Sequence, residues 1–224
     1  MEIGIDVISD LNLSPEDSFN WENKATSLYC IVAGNISTDV RTTIQTLVHL
    51  SQFYQGVFYT MGTSDYENAH DYNVRTRHLI EKYNSISRVA VLHHHVVIID
   101  GIAILGVNGW EKTASNLLTN RLDDLSYLNK SINKLQRHLD VKKIVVVSNA
   151  VPNKDLYFGE IPSNSETDLE LDYCLTSDTE NKVSHWVFGS YDKNVDTVIN
   201  GINFVNNSYF KRKPYWPKRI NVVF

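Results

Sequence analysis

Ser27-Leu28-Tyr29-Cys30-Ile31-Val32-Ala33-Gly34-Asn35 is the stretch that decides the fold class. A short apolar run that stops at glycine reads as a buried strand ending in a turn. Asp39 to Tyr54 follows, with Val40, Ile44, Leu47, Val48 and Leu50 at helical spacing, and Val57 to Met61 is a further apolar strand. Strand, helix, strand in this order is the unit of a layered α/β architecture.

The same alternation extends outward in both directions. Ile3 to Ser9 reads as a strand upstream, and His70 to Tyr83 as a helix downstream. From Val89 to Leu92 onward the texture changes to short strands joined by tight turns. Asp100-Gly101 and Asn200-Gly201 are hairpin signals, because both residues of each pair tolerate the positive φ of a type I′ turn. Between them lie a helix from Leu122 to Leu139, a buried strand from Ile144 to Ser148, and a helix within Thr167 to Leu175. Pro152 to Glu166 reads as a surface loop. No repeat and no flexible linker interrupts the chain. The expectation is therefore two stacked mixed sheets flanked by helices in one domain spanning residues 1–224, with 208–224 as a basic and aromatic C-terminal segment.

Composition narrows the function classes. The 224 residues are 42% hydrophobic and 21% charged, a globular balance that excludes disordered and fibrous chains. No apolar run approaches the roughly 20 residues that cross a bilayer, and the N-terminus lacks the features of a secretory signal, so a cytoplasmic protein without membrane contact is expected. Cys30 and Cys174 are far apart and unpaired by motif, which reads as buried free thiols. The net charge of -5 makes the surface a poor phosphate trap outside a local basic patch. Heavy use of Asn, Lys, Ile and Tyr points to an AT-rich genome, bacterial or phage.

No phosphate-binding glycine loop, Gly-x-Ser-x-Gly elbow, Cys-x-x-Cys or His-Glu-x-x-His occurs. What remains is a series of strand-end loops: Ser9 to Asn12, Ala33 to Ser37, Met61 to Asp65, Val147 to Pro152, and Trp186 to Asp192. In layered α/β sheets such loops gather at one edge and form the ligand crevice. In order and spacing they resemble the calcineurin-like metallophosphoesterases, whose pattern runs Asp-x-His, Gly-Asp, Gly-Asn-His, Thr-His and Gly-His-x-His. The resemblance extends to the hairpin from Leu92 to Trp110 and to the strand pair from Asn194 to Asn207. It implies a four-layer α-β-β-α sandwich and a two-metal centre.

The ligand set that the resemblance implies is rewritten here. Asp10 stands at the first ligand position, but Asn12 replaces the first His and Asn35 the metal-bridging Asp. Thr63 and Ser64 replace the Asn-His pair, Asn149 the next His, and Ser190 and Asp192 the last two. Neutral oxygens neither neutralise two divalent ions nor supply imidazole nitrogen, and without paired metals no hydroxide nucleophile forms at neutral pH. The expectation is a pseudoenzyme without catalytic residues or cofactor, acting by binding a protein or a nucleic acid. The alternatives are a weak phosphoesterase rebuilt around a single weakly bound divalent metal, and a metal-free pocket for a phosphorylated ligand.

Three further clusters invite readings of their own. His93-His94-His95 resembles a metal tract, but consecutive strand residues alternate faces and cannot converge on one ion. Asp65, Glu67, His70 and Asp71 are either solvated acids at a helix start or, with Asp10 or Asp192, a relocated metal site. The tail carries Lys211, Arg212, Lys213, Tyr215, Trp216, Lys218 and Arg219, where basic residues alternate with aromatics as in an interaction patch; the plainer alternative is an edge strand.

Overall fold

The computed structural model describes residues 1–109, 118–157, 177–209 and 214–224. Its first sheet contains β1 (Glu2–Ile8), β2 (Tyr29–Ala33), β3 (Gly56–Thr60), β4 (Val89–Val91) and β11 (Lys218–Val223), in the order β11-β1-β2-β3-β4. The second contains β5 (His95–Ile99), β6 (Ile102–Val107), β7 (Lys143–Ser148), β8 (Val183–Phe188), β9 (Val195–Ile199) and β10 (Ile202–Asn206), in the order β5-β6-β7-β8-β10-β9. β1 to β4 run parallel, as do β6, β7, β8 and β10, while β11, β5 and β9 add antiparallel edges.

The sheets pack face to face because their strands are apolar on both sides. In β2, Ile31 and Ala33 point into the core between the sheets, while Cys30 and Val32 pack beneath the helices α1 (Val40–Leu50) and α2 (Tyr72–Asn84). In β7, Val145 and Val147 join the same middle core, and Ile144 and Val146 lie under α3 (Leu118–Gln136). This period-2 division across two continuous apolar runs produces the four layers α-β-β-α.

Local chemistry sets the ends of these elements. Asp39 caps α1, accepting from the Thr42 amide at 2.8 Å, and Asp71 caps α2 through the amides of Asn73 and Val74. Asp71 is thus a capping residue. Helix α1 departs from its expected apolar stripe: Val48 is exposed, while Thr42, Thr43 and Thr46 face inward, with Thr43 and Thr46 also bonding carbonyls of their own helix or its cap. Both hairpins have the expected turn, with Asp100, Gly101, Asn200 and Gly201 all at positive φ.

Some expectations fall on other ground. The helix within Thr167 to Leu175, the loop from residue 158 onward, Cys174 and Trp110 lie outside the described residues. Cys30 is a buried free thiol, and burial holds its pKa well above the ordinary range. No helix among the described residues is long and apolar enough to cross a membrane.

Candidate functional site

The loops after β1, β2, β3, β7 and β8 meet at the C-terminal ends of the parallel strands. Their approach is close enough to require glycine. A Cβ on Gly34, which sits at φ +78, would lie 2.0 Å from Asn149 Oδ1, and one on Gly62 would lie 2.3 Å from Asn35 Oδ1.

Asn35 is the centre of the crevice. Its Oδ1 accepts from the Ser64 amide at 3.2 Å and from Thr63 Oγ1 at 3.3 Å, which fixes the orientation of its carboxamide. Its Nδ2 consequently faces the other way and donates to Asp10 Oδ1 at 2.9 Å and to Ser190 Oγ at 3.2 Å. The Ser190 amide also donates to Asp10 Oδ1, at 2.9 Å. Asp10, Asn35, Thr63, Ser64 and Ser190 therefore form one hydrogen-bonded set.

Around this set, among the described residues, Asp10 Oδ2, Ser64 Oγ and both side-chain polar atoms of Asn149 are buried without a well-formed hydrogen bond, though the Ser9 and Asn206 side chains lie near enough to Asp10 to favour its charged form. Asn149 is fully buried, and its Oδ1 lies 2.8 Å from the point that a Gly62 Cβ would occupy, beside the Asn35 carboxamide. Burial pushes Asp10 up to about 6, against the opposing hydrogen bonds of Asn35 and the Ser190 amide. The backbone is strained at the same place: Asp10, Asn12, Asn35 and Ser190 sit at φ 52, 43, 55 and 53.

The remaining candidates take separate places. Asn12 is exposed and donates to the Asp10 carbonyl, and Asp192 is exposed. Asp65 turns away from the crevice, accepting from Tyr59 and Tyr83 hydroxyls at 2.6 and 2.9 Å and from the Gly62 amide at 2.8 Å. Glu67 and His70 are exposed. The cluster from Asp65 to Asp71 thus divides into a core carboxylate, a helix cap and two surface residues. No three His, Cys, Asp or Glu side chains among the described residues are placed to hold a metal ion. Among the described residues the donor set of the crevice does not fit a two-metal centre: Asp10 is its one buried carboxylate, it has no imidazole, and the Asn35 N–H₂ turns a donor toward that carboxylate.

His93 and His94 occupy a bend, so the argument from strand alternation does not hold for them. Their rings stack at 4.7 Å, His94 Nε2 lies 2.6 Å from Asp124 Oδ1, and His95 opens β5 in an exposed position. Sequence reading passed over Asp124, a buried acid on the same helix face as Leu128, and Asn108, whose Nδ2 ties β6 to the Met61 carbonyl. An acid at core spacing was the available signal for the first. In the tail, Tyr215 is buried against Trp21 and Tyr209, and Trp216 stays 54% exposed. Lys218 pairs with Asp196 on β9, Arg219 lies along β11, and Lys211, Arg212 and Lys213 fall outside the described residues.

Comparison with solved structures places this architecture among metallophosphoesterase-like folds. Phosphopantetheinyl hydrolase from Mycobacterium tuberculosis superposes with a TM-score of 0.66 at 16% identity, over 96% of this chain and 95% of that one. A protein described as a 5′-nucleotidase from Staphylococcus aureus aligns with all of this chain at TM-score 0.59 and 12% identity. The match spans only 51% of the nucleotidase's own length. GAP50 of Plasmodium aligns at TM-score 0.55 and 10% identity over 92% of this chain and 71% of its own. No protein-family model matches the sequence, and no curated protein matches it. At these identities the likeness is one of fold.

Proposed function

We propose that this chain is a catalytically silent protein on a metallophosphoesterase-like scaffold, working in the cytoplasm by binding a protein or nucleic-acid partner without a metal cofactor. The observation that carries this reading is the Asn35 amide, which donates to Asp10 and Ser190; on the family resemblance this is the position of the metal-bridging carboxylate. A neutral donor pairs Asp10 Oδ1 without metal, and supplies no group to generate hydroxide at neutral pH. Use of the fold for attachment has a parallel in GAP50, which is described as the anchor in the inner membrane complex of Plasmodium.

The partner contact we assign to the C-terminal segment is Trp216 together with Lys211, Arg212 and Lys213. Tyr215 donates to the Asn207 carbonyl, and Asn207 Nδ2 donates to the Trp216 carbonyl, so Trp216 is held outward beside a buried anchor.

Purification in manganese or zinc followed by elemental analysis tests the silent-site reading. The expected result is no stoichiometric transition metal and no turnover of aryl phosphate esters, with Asp10→Asn unchanged in both. Two metal ions per chain, lost together in Asp10→Ala, overturn it. For the partner surface, Trp216→Ala is expected to abolish capture of an identified partner without lowering stability; undiminished capture removes the surface from the proposal.

A further inference from the structure

A second cleft, of about 540 Å³, opens beside the strand starts of the first sheet, at the end away from the loop crevice. Its volume falls in the range of small-molecule sites, ~300–1,000 Å³. Gly4, Thr26, Leu28, Tyr29, Phe53 and Arg219 form its walls. Nothing in the proposed crevice chemistry uses them.

Arg219 is built into this cleft. Its Nε donates to Asn221 Oδ1 and its Nη1 to the Thr26 carbonyl, each at 3.0 Å. The guanidinium lies against Gly4, where a Cβ would come within 2.5 Å of Nε. Thr26 is held in turn, because its amide and hydroxyl both donate to the buried Asp6 carboxylate, which also accepts from Tyr54. Both Arg219 acceptors are neutral, and among the described residues the guanidinium forms no ion pair. A planar cation held this way is suited to a carboxylate.

The apolar side is equally defined. Leu28 is 57% exposed at the mouth, and Tyr29 stacks on Phe58 with centroids 6.1 Å apart. Glu2 and Asp100 also line the cleft, so two carboxylates share it with one guanidinium. A simple anion meets a net negative surround, and a simple cation meets Arg219. A molecule carrying both charges close together satisfies both.

We propose that this cleft binds a small zwitterion with an apolar side group, the chemistry of a free α-amino acid such as phenylalanine. The carboxylate engages Arg219, the ammonium faces Glu2 and Asp100, and the side group covers Leu28, Tyr29 and Phe53. The inference is independent of the reading given to the loop crevice.

Three probes separate the contributions: L-phenylalanine, 3-phenylpropionate, which lacks the ammonium, and phenethylamine, which lacks the carboxylate. Calorimetry on the full chain is expected to show saturable binding of phenylalanine, with both truncated probes weaker by about tenfold or more. Arg219→Gln is expected to weaken phenylalanine by a similar factor while thermal melting confirms the fold, since β11 pairs through its main chain. In the pair Glu2→Gln and Asp100→Asn, phenylpropionate is expected to gain on phenylalanine. Absence of saturable phenylalanine binding in the millimolar range, equal binding in Arg219→Gln, or tighter binding of phenylpropionate by the unaltered chain each overturns the proposal.

Discussion

Asp10 and Asp65 are buried carboxylates in the loops that follow β1 and β3, yet their surroundings treat them in opposite ways. Asp65 has both oxygens bonded, to two tyrosine hydroxyls and the Gly62 amide. Asp10 has two donors crowded on Oδ1 and, among the described residues, no well-formed bond on Oδ2, the Ser9 and Asn206 side chains being lesser influences on its charge. Burial raises the pKa of both as the leading cause. The difference separates a carboxylate that holds a loop in place from one that folding leaves incompletely paired, and residues of the second kind are where binding chemistry concentrates.

The largest expected effect lies on the Asp65 side. Asp65→Ala strands two tyrosine hydroxyls and the Gly62 amide in the core, and is expected to cost roughly 3–5 kcal/mol in urea unfolding. A loss under about 1 kcal/mol would show that the two carboxylates do not differ as described.

On the Asp10 side, Asn35→Asp replaces a donor with a second carboxylate about 3 Å from the first. Stability near neutral pH is expected to fall by roughly 2–4 kcal/mol, with partial recovery in millimolar manganese. Unchanged stability without metal would show that the Asn35 donor does not offset the Asp10 charge.

Asp10→Asn is expected to act in the opposite direction to Asp65→Ala. Because the folded-state pKa of Asp10 is raised to about 6, its favourable contribution is complete below the unfolded value near 4 and is lost as pH rises through 6. The Asn variant should therefore match wild type near pH 4 and exceed it by roughly 1–3 kcal/mol at pH 7. Denaturation curves across that interval check the sign; a variant less stable at pH 7 contradicts it.

The smallest effect concerns the backbone. Ser190 sits at φ 53 with its amide on Asp10, a conformation that glycine adopts freely. Ser190→Gly is expected to stabilise by about 1 kcal/mol in thermal melts. Destabilisation instead would indicate that the Asn35 to Ser190 Oγ bond outweighs the relief of strain.

How far the architecture was legible depends on its period. Strands such as Tyr29–Ala33 and Lys143–Ser148 are apolar on both faces, so a continuous run in the sequence already reports burial in a sandwich. Helix α1 was legible in its start but not in its end, which falls at Leu50 and not Tyr54, nor in its orientation, because Thr42, Thr43 and Thr46 satisfy their hydroxyls locally and pass for core residues. Asp71 and Asp65 stood in one acidic cluster in the sequence, and only the path of the chain between them made one a cap and the other a core group.

The sequence by itself determined the two-sheet α/β class and both hairpins, since periodicity and turn chemistry are local properties. Tertiary structure alone decided that Asn35 turns its donor toward Asp10, that Asn149 is buried without partners, and that Tyr215 is core while Trp216 is surface. Those outcomes depend on which loops from distant parts of the chain meet, and on the Ser64 amide that orients Asn35 from 29 positions away. A hydrogen bond's direction is set by its partners in space, which spacing along a chain does not encode.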